Sequence, residues 1–551
     1  MILRSATERF GSAGFSTIKD LKNAKLLNNN GLHHGFTFGR QHEQIGFSAD
    51  TGRVIIGAAG SGKLASDIAN ALAQHGMTEE TATIYVDPKG EIAAISNLNP
   101  FIEQYYFNPY GLHNGMPWHI PSHRFNVLEF ANPNSPTFFE DMRTIANNLV
   151  TKPTGGEGSS LHFWGKATMV ATAVLVDGRL NNPHFSLPDF YNVIGDIQSG
   201  GGDYFHFHIE RMKNSQFNAV RQVAIELESK AQMVPGEFGS IMSTISNSIQ
   251  CLGSPALQMS LSGQSTISFE DLLKPDKARR LFIMIPAEYI EQCSAVIRCM
   301  IAALTIVQQR NPLGRVHFCI DEAGQLGYFE AIERMFSYGR GSKARISVYF
   351  QNAGQILKNF GKHGADIIVS NAQSKIILGV ASFESAQFVC NNILGKTTYR
   401  YISQDKRAEA AFKKTQAFQQ ALNGGDIANS LLDIAKHSSA MSRPEAVARD
   451  LMTPDELMRM PTDMGILDIN GLGIKPYRYL KYPYYLNPAI AHQFLPNPFH
   501  PPFNSVVLPK KWFGKKVAKV ITQEVPESIS QLPQYDLGYY SYIEGYNPLS
   551  A

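Results

Sequence analysis

The chain has 551 residues, more than one ordinary core accommodates, so two or three domains or one large domain with an insertion are expected. Hydrophobic residues make up 44% and charged residues 18%, which excludes global disorder and fibrous classes. Lys plus Arg is 50 against 47 for Asp plus Glu, so nucleic-acid contact would need a local patch or an oligomeric ring rather than a basic field over the whole chain. Five cysteines, Cys251, Cys293, Cys299, Cys319 and Cys390, form no C-x-x-C pair. Their odd number fits small buried side chains in a reducing cytoplasm, not a disulfide framework or zinc ribbon. The best apolar stretch, Cys293 to Val307, is interrupted by Arg298, and the N-terminus lacks the apolar core of a signal peptide.

Residues 1–50 are polar and rich in Gly, Asn and His, and read as a lead-in with one or two strands. At Arg53 the character changes. Arg53-Val54-Ile55-Ile56 is a buried strand that stops at Gly57. A Gly/Ala/Ser loop follows, then helical spacing through Leu64, Ile68 and Leu72. A second strand, Thr83-Ile84-Tyr85-Val86, ends in Asp87-Pro88-Lys89-Gly90-Glu91. Strand, loop, helix and strand in this order make a βαβ unit, and hence a parallel sheet. Residues 51–134 are the first part of this α/β domain.

Strand signals fade over 135–265, where Phe163 to Leu175 and much of 208–232 read as helix. This stretch is an all-α domain. Strands return at Leu281–Ile285, Val316–Ile320, Ile346–Phe350, Lys375–Leu378 and Gly465–Ile469, with an amphipathic helix through Ile290, Cys293, Ile297, Met300, Ile301 and Leu304. Residues 266–490 thus form the second part of the split sheet, with a polar excursion at 401–447. Residues 491–551 are rich in Pro and Tyr, lack periodicity and read as a tail or extended arm.

Gly57-Ala58-Ala59-Gly60-Ser61-Gly62-Lys63 fits G-x-x-x-x-G-K. Its glycines let successive backbone N–H groups turn inward around phosphates, and Lys63 reaches the β- and γ-phosphates from the start of a helix. The motif then has Ser or Thr to hold Mg²⁺, whereas this chain has Leu64. The strand Val316–Ile320 supplies an acid at its tip, Asp321-Glu322. Asp321 suits the metal and Glu322 suits the general base that polarises the attacking water. Two weaker candidates are His206, His208 and Glu210 at alternate positions, and the basic and aromatic run Lys510-Lys511-Trp512-Phe513-Gly514-Lys515-Lys516. The first is expected on helix or loop, which separates its side chains. The second suits phosphate contact with base stacking, or a membrane surface.

Asp321-Glu322-Ala323-Gly324-Gln325-Leu326-Gly327 resembles the D-E-F-x-x-L-G signature of type IV secretion coupling proteins, the TraG/TraD-like conjugative-transfer ATPases. The resemblance continues in Asp87-Pro88-Lys89-Gly90-Glu91, Phe107-Asn108-Pro109, Phe125-Asn126-Val127-Leu128 and Phe163-Trp164. It extends through Tyr338-Gly339-Arg340-Gly341, Phe350-Gln351-Asn352 and Leu451-Met452-Thr453-Pro454-Asp455-Glu456. It implies a RecA-like P-loop NTPase domain of α/β class, with a mostly parallel sheet interrupted by an all-α domain. It implies ATP and Mg²⁺ as cofactors and a hexameric homo-oligomer. Arg340 would stabilise transferring phosphoryl charge across a subunit interface, and Gln351 would sense the γ-phosphate. Implied partners are single-stranded DNA, relaxase or effector proteins, and components of a bacterial type IV secretion channel. Many relatives also lack Ser or Thr after the lysine. Leu64 and Ala323, in place of the signature phenylalanine, nevertheless leave open a catalytically weak nucleotide-binding receptor or adaptor. A DNA-translocating ATPase of the FtsK/HerA kind is a further alternative. Relatives usually begin with transmembrane helices, whereas Met1 here starts directly in the part that resembles their soluble region, so the expectation is a cytoplasmic protein that either reaches the inner membrane through an anchoring partner or acts away from it.

Overall fold

A computed structural model describes residues 13–39, 41–48, 52–74, 80–96, 99–153, 158–401, 404–422, 427–441, 445–510 and 514–550. Short apolar runs become strands because β-branched and aromatic residues fill both faces of a covered sheet. In chain order the strands are β1 (Leu32–Phe36), β2 (Gln44–Phe47), β3 (Arg53–Gly57), β4 (Glu80–Val86), β5 (Glu103–Phe107) and β6 (Arg279–Ile283). They continue with β7 (Arg315–Ile320), β8 (Ala344–Phe350), β9 (Ser374–Gly379), β10 (Lys396–Tyr401), β11 (Glu445–Asp450), β12 (Met464–Ile469) and β13 (Tyr477–Leu480). Last come β14 (Ser505–Pro509), β15 (Lys515–Glu524) and β16 (Tyr539–Ile543).

An eleven-stranded sheet runs β2-β1-β13-β12-β9-β3-β8-β7-β4-β6-β5. From β9 to β5 every neighbouring pair is parallel. The pairs from β9 outward to β2 are antiparallel. The parallel part therefore gathers its strand ends along one edge, where open α/β sheets bind ligands. Side chains alternate between two apolar layers, as a period of two requires. Val54, Ile56, Ile84, Val86, Phe318 and Ile320 enter one layer, and Ile55, Tyr85 and Cys319 the other.

Strands β5 and β6 are neighbours in the sheet, yet the 171 residues 108–278 lie between Phe107 at the end of one and Arg279 at the start of the other. Helices Phe138–Leu149, Gly158–Asn181, Leu187–Gln198, Gly202–Lys213, Asn218–Met233 and Pro235–Ile249 fill most of that gap. Ser186 and Asp189 form a capping box that starts the third of these. Gly178 is a close-approach glycine, since a Cβ there would stand 2.4 Å from the Phe185 ring. The buried helix Ser294–Arg310 ties the layers together, with Arg298 donating to Asn148 O at 3.1 Å and Leu326 O at 2.9 Å.

Within the stretch read as a polar excursion, helices Gln404–Leu422 and Ile427–Met441 rise from the antiparallel β10–β11 ribbon. The C-terminal stretch differs from the tail expected at 491–551. Strands β14, β15 and β16 make an antiparallel sheet. It docks through Trp118 Nε1 to Pro496 O at 2.8 Å, Gln104 N to Gln534 Oε1 at 3.1 Å and Ser541 Oγ to Pro117 O at 2.7 Å. Polar anchors, tyrosines and scattered apolar residues such as Leu508, Ala518 and Ile543 hold it, a mixture without the regular apolar period of the core strands. Lys511, Trp512 and Phe513 of the basic and aromatic run lie outside the described residues. Among the described residues, no helix is long and apolar enough to cross a membrane.

Candidate phosphate-binding and catalytic site

The loop after β3 crosses the carboxyl edge of the parallel strands. Ser61 N donates to Ala58 O at 3.1 Å, which closes a tight turn. Gly60 and Gly62 have φ of 73° and 90°, the left-handed region that glycine enters without Cβ strain. Gly57 is needed for a different reason: a Cβ there would lie 2.6 Å from Ser61 Oγ. Lys63 opens a wide π-type turn, Lys63–Ile68, which runs into helix Ala69–Gln74. The lysine thus emerges at a helix start, where backbone N–H groups favour anions.

Asp321 and Glu322 follow β7 at the same edge. Lys63 Nζ lies 2.9 Å from Glu322 Oε1 and 3.9 Å from Asp321 Oδ1. Gln351, directly after β8, donates from Nε2 to Glu322 Oε2 at 2.7 Å. Glu322 itself has φ of 52°, an uncommon setting for a non-glycine residue that turns its carboxylate toward the loop. Lys63, Asp321, Glu322 and Gln351 are therefore brought together, with the loop residues Gly57, Ala58, Ala59, Gly60, Ser61 and Gly62 around them.

Arg340 is not among them. It sits exposed in the turn between helix Glu330–Tyr338 and the start of β8. Gln351 lies past the other end of that strand, whose seven residues span about 23 Å. Within one chain, Arg340 and the phosphate loop occupy opposite edges of the sheet.

Leu64 is half-buried and packs its side chain into the apolar layer beneath the loop. Ser66 does not take the place of the missing hydroxyl, because its Oγ donates back to Gly62 O at 2.7 Å. Two other oxygens do suit a ligand. Ser61 Oγ and Asp321 Oδ1 are buried without a hydrogen-bond partner, a costly state that a phosphate group or a hydrated divalent cation would relieve. Carboxylate and hydroxyl oxygens are the donors that Mg²⁺ takes. Burial pushes the Asp321 carboxyl up to about 6, with Lys63 opposing and Glu322 adding to the rise.

Two further features lie around the site, outside its sequence motifs. Asp87, at the tip of β4 beside Asp321, is 2% exposed and accepts from Ala93 N at 2.8 Å. Burial raises its carboxyl to about 8, and Asp321 and Glu91 add to that. Beneath the loop, buried Arg53 donates to Asp67 Oδ1 at 3.3 Å, Ser347 Oγ at 2.8 Å and Tyr349 Oη at 3.2 Å. Tyr349 also donates to Asp67 Oδ2 at 2.6 Å, so the loop's helix is tied to β3 and β8. The strand reading of Arg53-Val54-Ile55-Ile56 contained this arginine, but its partner Asp67 is visible only in the fold.

His206, His208 and Glu210 fall on helix Gly202–Lys213, where a spacing of two turns successive side chains about 200° apart. His208 meets Asp196 Oδ2 at 3.0 Å instead. Among the described residues, no group of three or more His, Cys, Asp or Glu is placed to hold a metal.

The family described as type IV secretory system conjugative DNA transfer matches residues 14–423. The chain belongs to that family. Among this coupling-protein family's members, the probable conjugal transfer protein TraG of Sinorhizobium fredii is 23% identical over 359 residues. The match takes in 64% of this chain and 51% of TraG, so the chain spans about half the length of that relative. The fold is that of the bacterial conjugative coupling protein TrwB. A trigonal form of TrwBdeltaN70 in complex with sulphate gives a TM-score of 0.57 at 13% identity, over 87% of this chain and 96% of that chain. TrwB in complex with ADP and Mg²⁺ gives 0.53 at 14% identity, over 79% and 85%.

Proposed function

We propose that this chain binds ATP with Mg²⁺ at the Gly57–Lys63 loop and hydrolyses it as a coupling protein. In this role it delivers DNA–relaxase complexes or effector proteins to a type IV secretion channel. The convergence of Lys63, Glu322 and Gln351 at the loop carries the reading, in a chain of this family. The ADP and Mg²⁺ complex of TrwB supports the same ligand class.

Each residue's part follows from its position. The loop amides and Lys63 bind the phosphates, and Asp321 with Ser61 holds the cation. When bound, Mg²⁺ offsets the charge that develops on the transferring phosphoryl group. In the structure described, Glu322 is held by Lys63 and Gln351. Arrival of the triphosphate draws Lys63 away, which frees Glu322 to accept a proton from water. Gln351 then exchanges Glu322 for the γ-phosphate, and so reports that phosphate to β8. Arg340, at the far edge of the sheet, serves the site of a neighbouring copy in a ring, which the reading takes as a hexamer. Recruitment to the inner membrane through an anchoring partner is part of the same reading.

Leu64 favours one second reading: a nucleotide-binding receptor or adaptor with little turnover. Neither Leu64 nor Ser66 offers the cation a hydroxyl. Calorimetry with a non-hydrolysable ATP analogue tests the binding step common to both. Tight Mg²⁺-dependent binding that Lys63→Ala weakens about 100-fold is the expected result, in line with the loss of charge-assisted phosphate contacts. Equal affinity in the variant would remove the loop from the account.

A further inference from the structure

Lys481 directly follows β13, the strand that β12 joins antiparallel to the parallel core. It is buried, at 7% exposure. Its Nζ donates to Leu378 O near the tip of β9 at 2.7 Å, and to Ser61 O inside the phosphate loop at 3.1 Å. Both acceptors are neutral carbonyls. Among the described residues no carboxylate forms an ion pair with it; Asp463, whose backbone carbonyl accepts from Lys481 N at 2.7 Å, is exposed and acts on the ammonium only through its field. Burial accordingly lowers its pKa. A buried ammonium without a counter-ion is costly unless something else brings negative charge.

The neighbourhood indicates what that charge is. Lys63 already has Glu322 at 2.9 Å. Lys481 bonds to the backbone of the same loop, at the one loop residue whose hydroxyl, Ser61 Oγ, is buried without a partner. The loop lies close against β9, since a Cβ on Gly57 would stand 3.1 Å from Leu378 Cβ. Lys481 bridges the two, so it fixes the height of the loop and places a positive charge under it.

We propose that Lys481 is a second cation of the phosphate site: it ties the loop to β9 through Ser61 and supplies charge that a bound polyphosphate neutralises. It is a positioning residue, acting through the loop and its field. The inference rests on the nucleotide-binding reading above and extends it to an element outside the G-x-x-x-x-G-K motif.

The test uses the full chain, with Lys481→Met and Lys481→Arg. Affinities for a non-hydrolysable ATP analogue, ADP and sodium tripolyphosphate are measured by calorimetry at two salt concentrations, alongside the melting temperature without ligand. Lys481→Met is expected to bind the ATP analogue and tripolyphosphate about tenfold more weakly, ADP with a smaller loss, and all with a shallower salt dependence. Lys481→Arg, which keeps the charge, is expected to recover most of the affinity. A merely structural lysine would lower the melting temperature and leave the relative affinities and salt dependence unchanged, which would overturn the proposal. If Lys481→Met does not fold, Lys481→Gln carries the same comparison. Wild-type binding with unaltered variants would overturn this inference alone. Failure of the wild type to bind either nucleotide or tripolyphosphate would overturn the nucleotide-binding reading and this inference together.

Discussion

Glu322 holds two contacts that nucleotide must displace, one to Lys63 and one to Gln351. Replacing it with glutamine removes a negative charge that competes for Lys63. Glu322→Gln is therefore expected to bind the ATP analogue at least as tightly as the wild type. Its turnover should fall about 10²–10⁴-fold, the usual contribution of a general base. Weaker binding in the variant would show that Glu322 supports the loop rather than restraining it. Asp87 gives the residue scale a pH signature. Burial raises it to about 8, so the folded chain keeps a proton that the unfolded chain releases near pH 4. Stability from this group is present below about pH 4 and is lost as pH rises toward 8. His33 opposes it in the lower part of that window. Burial lowers its pKa to about 4, so the unfolded chain binds the extra proton and stability rises up to about pH 6.5. Between about pH 6.5 and 7, below the range where the Cys293 thiol, lowered to about 7 by its hydrogen bond with Cys251, begins to oppose it, the Asp87 effect stands largely alone. The melting temperature of the nucleotide-free chain should fall across that interval, and Asp87→Asn should flatten the slope. An unchanged slope in the variant would contradict the assignment.

The elements divide by how locally their signals are written. Strands β3, β4, β6, β7, β8, β9 and β12 show as apolar runs because both faces of the sheet are covered, and the loop and acid pair sit at their ends. The antiparallel edge was less legible. Strand β13 mixes Tyr477, Arg478, Tyr479 and Leu480, and its order beside β1 and β12 is set by pairing rather than by hydrophobicity. The C-terminal sheet was missed for a related reason, since β15 carries Lys515, Lys516 and Lys519 among its small apolar residues. Of the site, the loop, Asp321 and Glu322 were readable from spacing alone. Arg340 and Gln351 needed the family resemblance. Asp67 and Lys481 needed the fold, because their partners lie far away in sequence. One helix carries a local irregularity with a measurable consequence. Ala353–Asn371 is interrupted at Gly361, where φ is 66° and ψ is −178°. That region is almost closed to residues with a Cβ, although a Cβ there would meet nothing within 4 Å. Gly361→Ala should cost about 1–3 kcal/mol in urea unfolding through backbone strain alone. A neutral substitution would mean that the helix straightens without loss.

At the scale of the whole molecule, the decisive fact is that Arg340 and the phosphate loop lie at opposite edges of one sheet. A single copy cannot use both at one site. If neighbouring copies share sites as proposed, Arg340→Ala and Lys63→Ala are each inactive alone. A mixture of the two should recover part of the activity, because some interfaces pair an intact loop with an intact arginine. Absence of any recovery in mixed assemblies would remove Arg340 from the neighbour's site. The most direct measurement is steady-state ATP hydrolysis against protein concentration, with and without single-stranded DNA, using Glu322→Gln as the control. The account predicts a rate that rises more than linearly with protein, increases with DNA and vanishes in the variant. A rate indistinguishable from the Glu322→Gln control, in a chain that binds ATP, would contradict it and leave the receptor reading in its place.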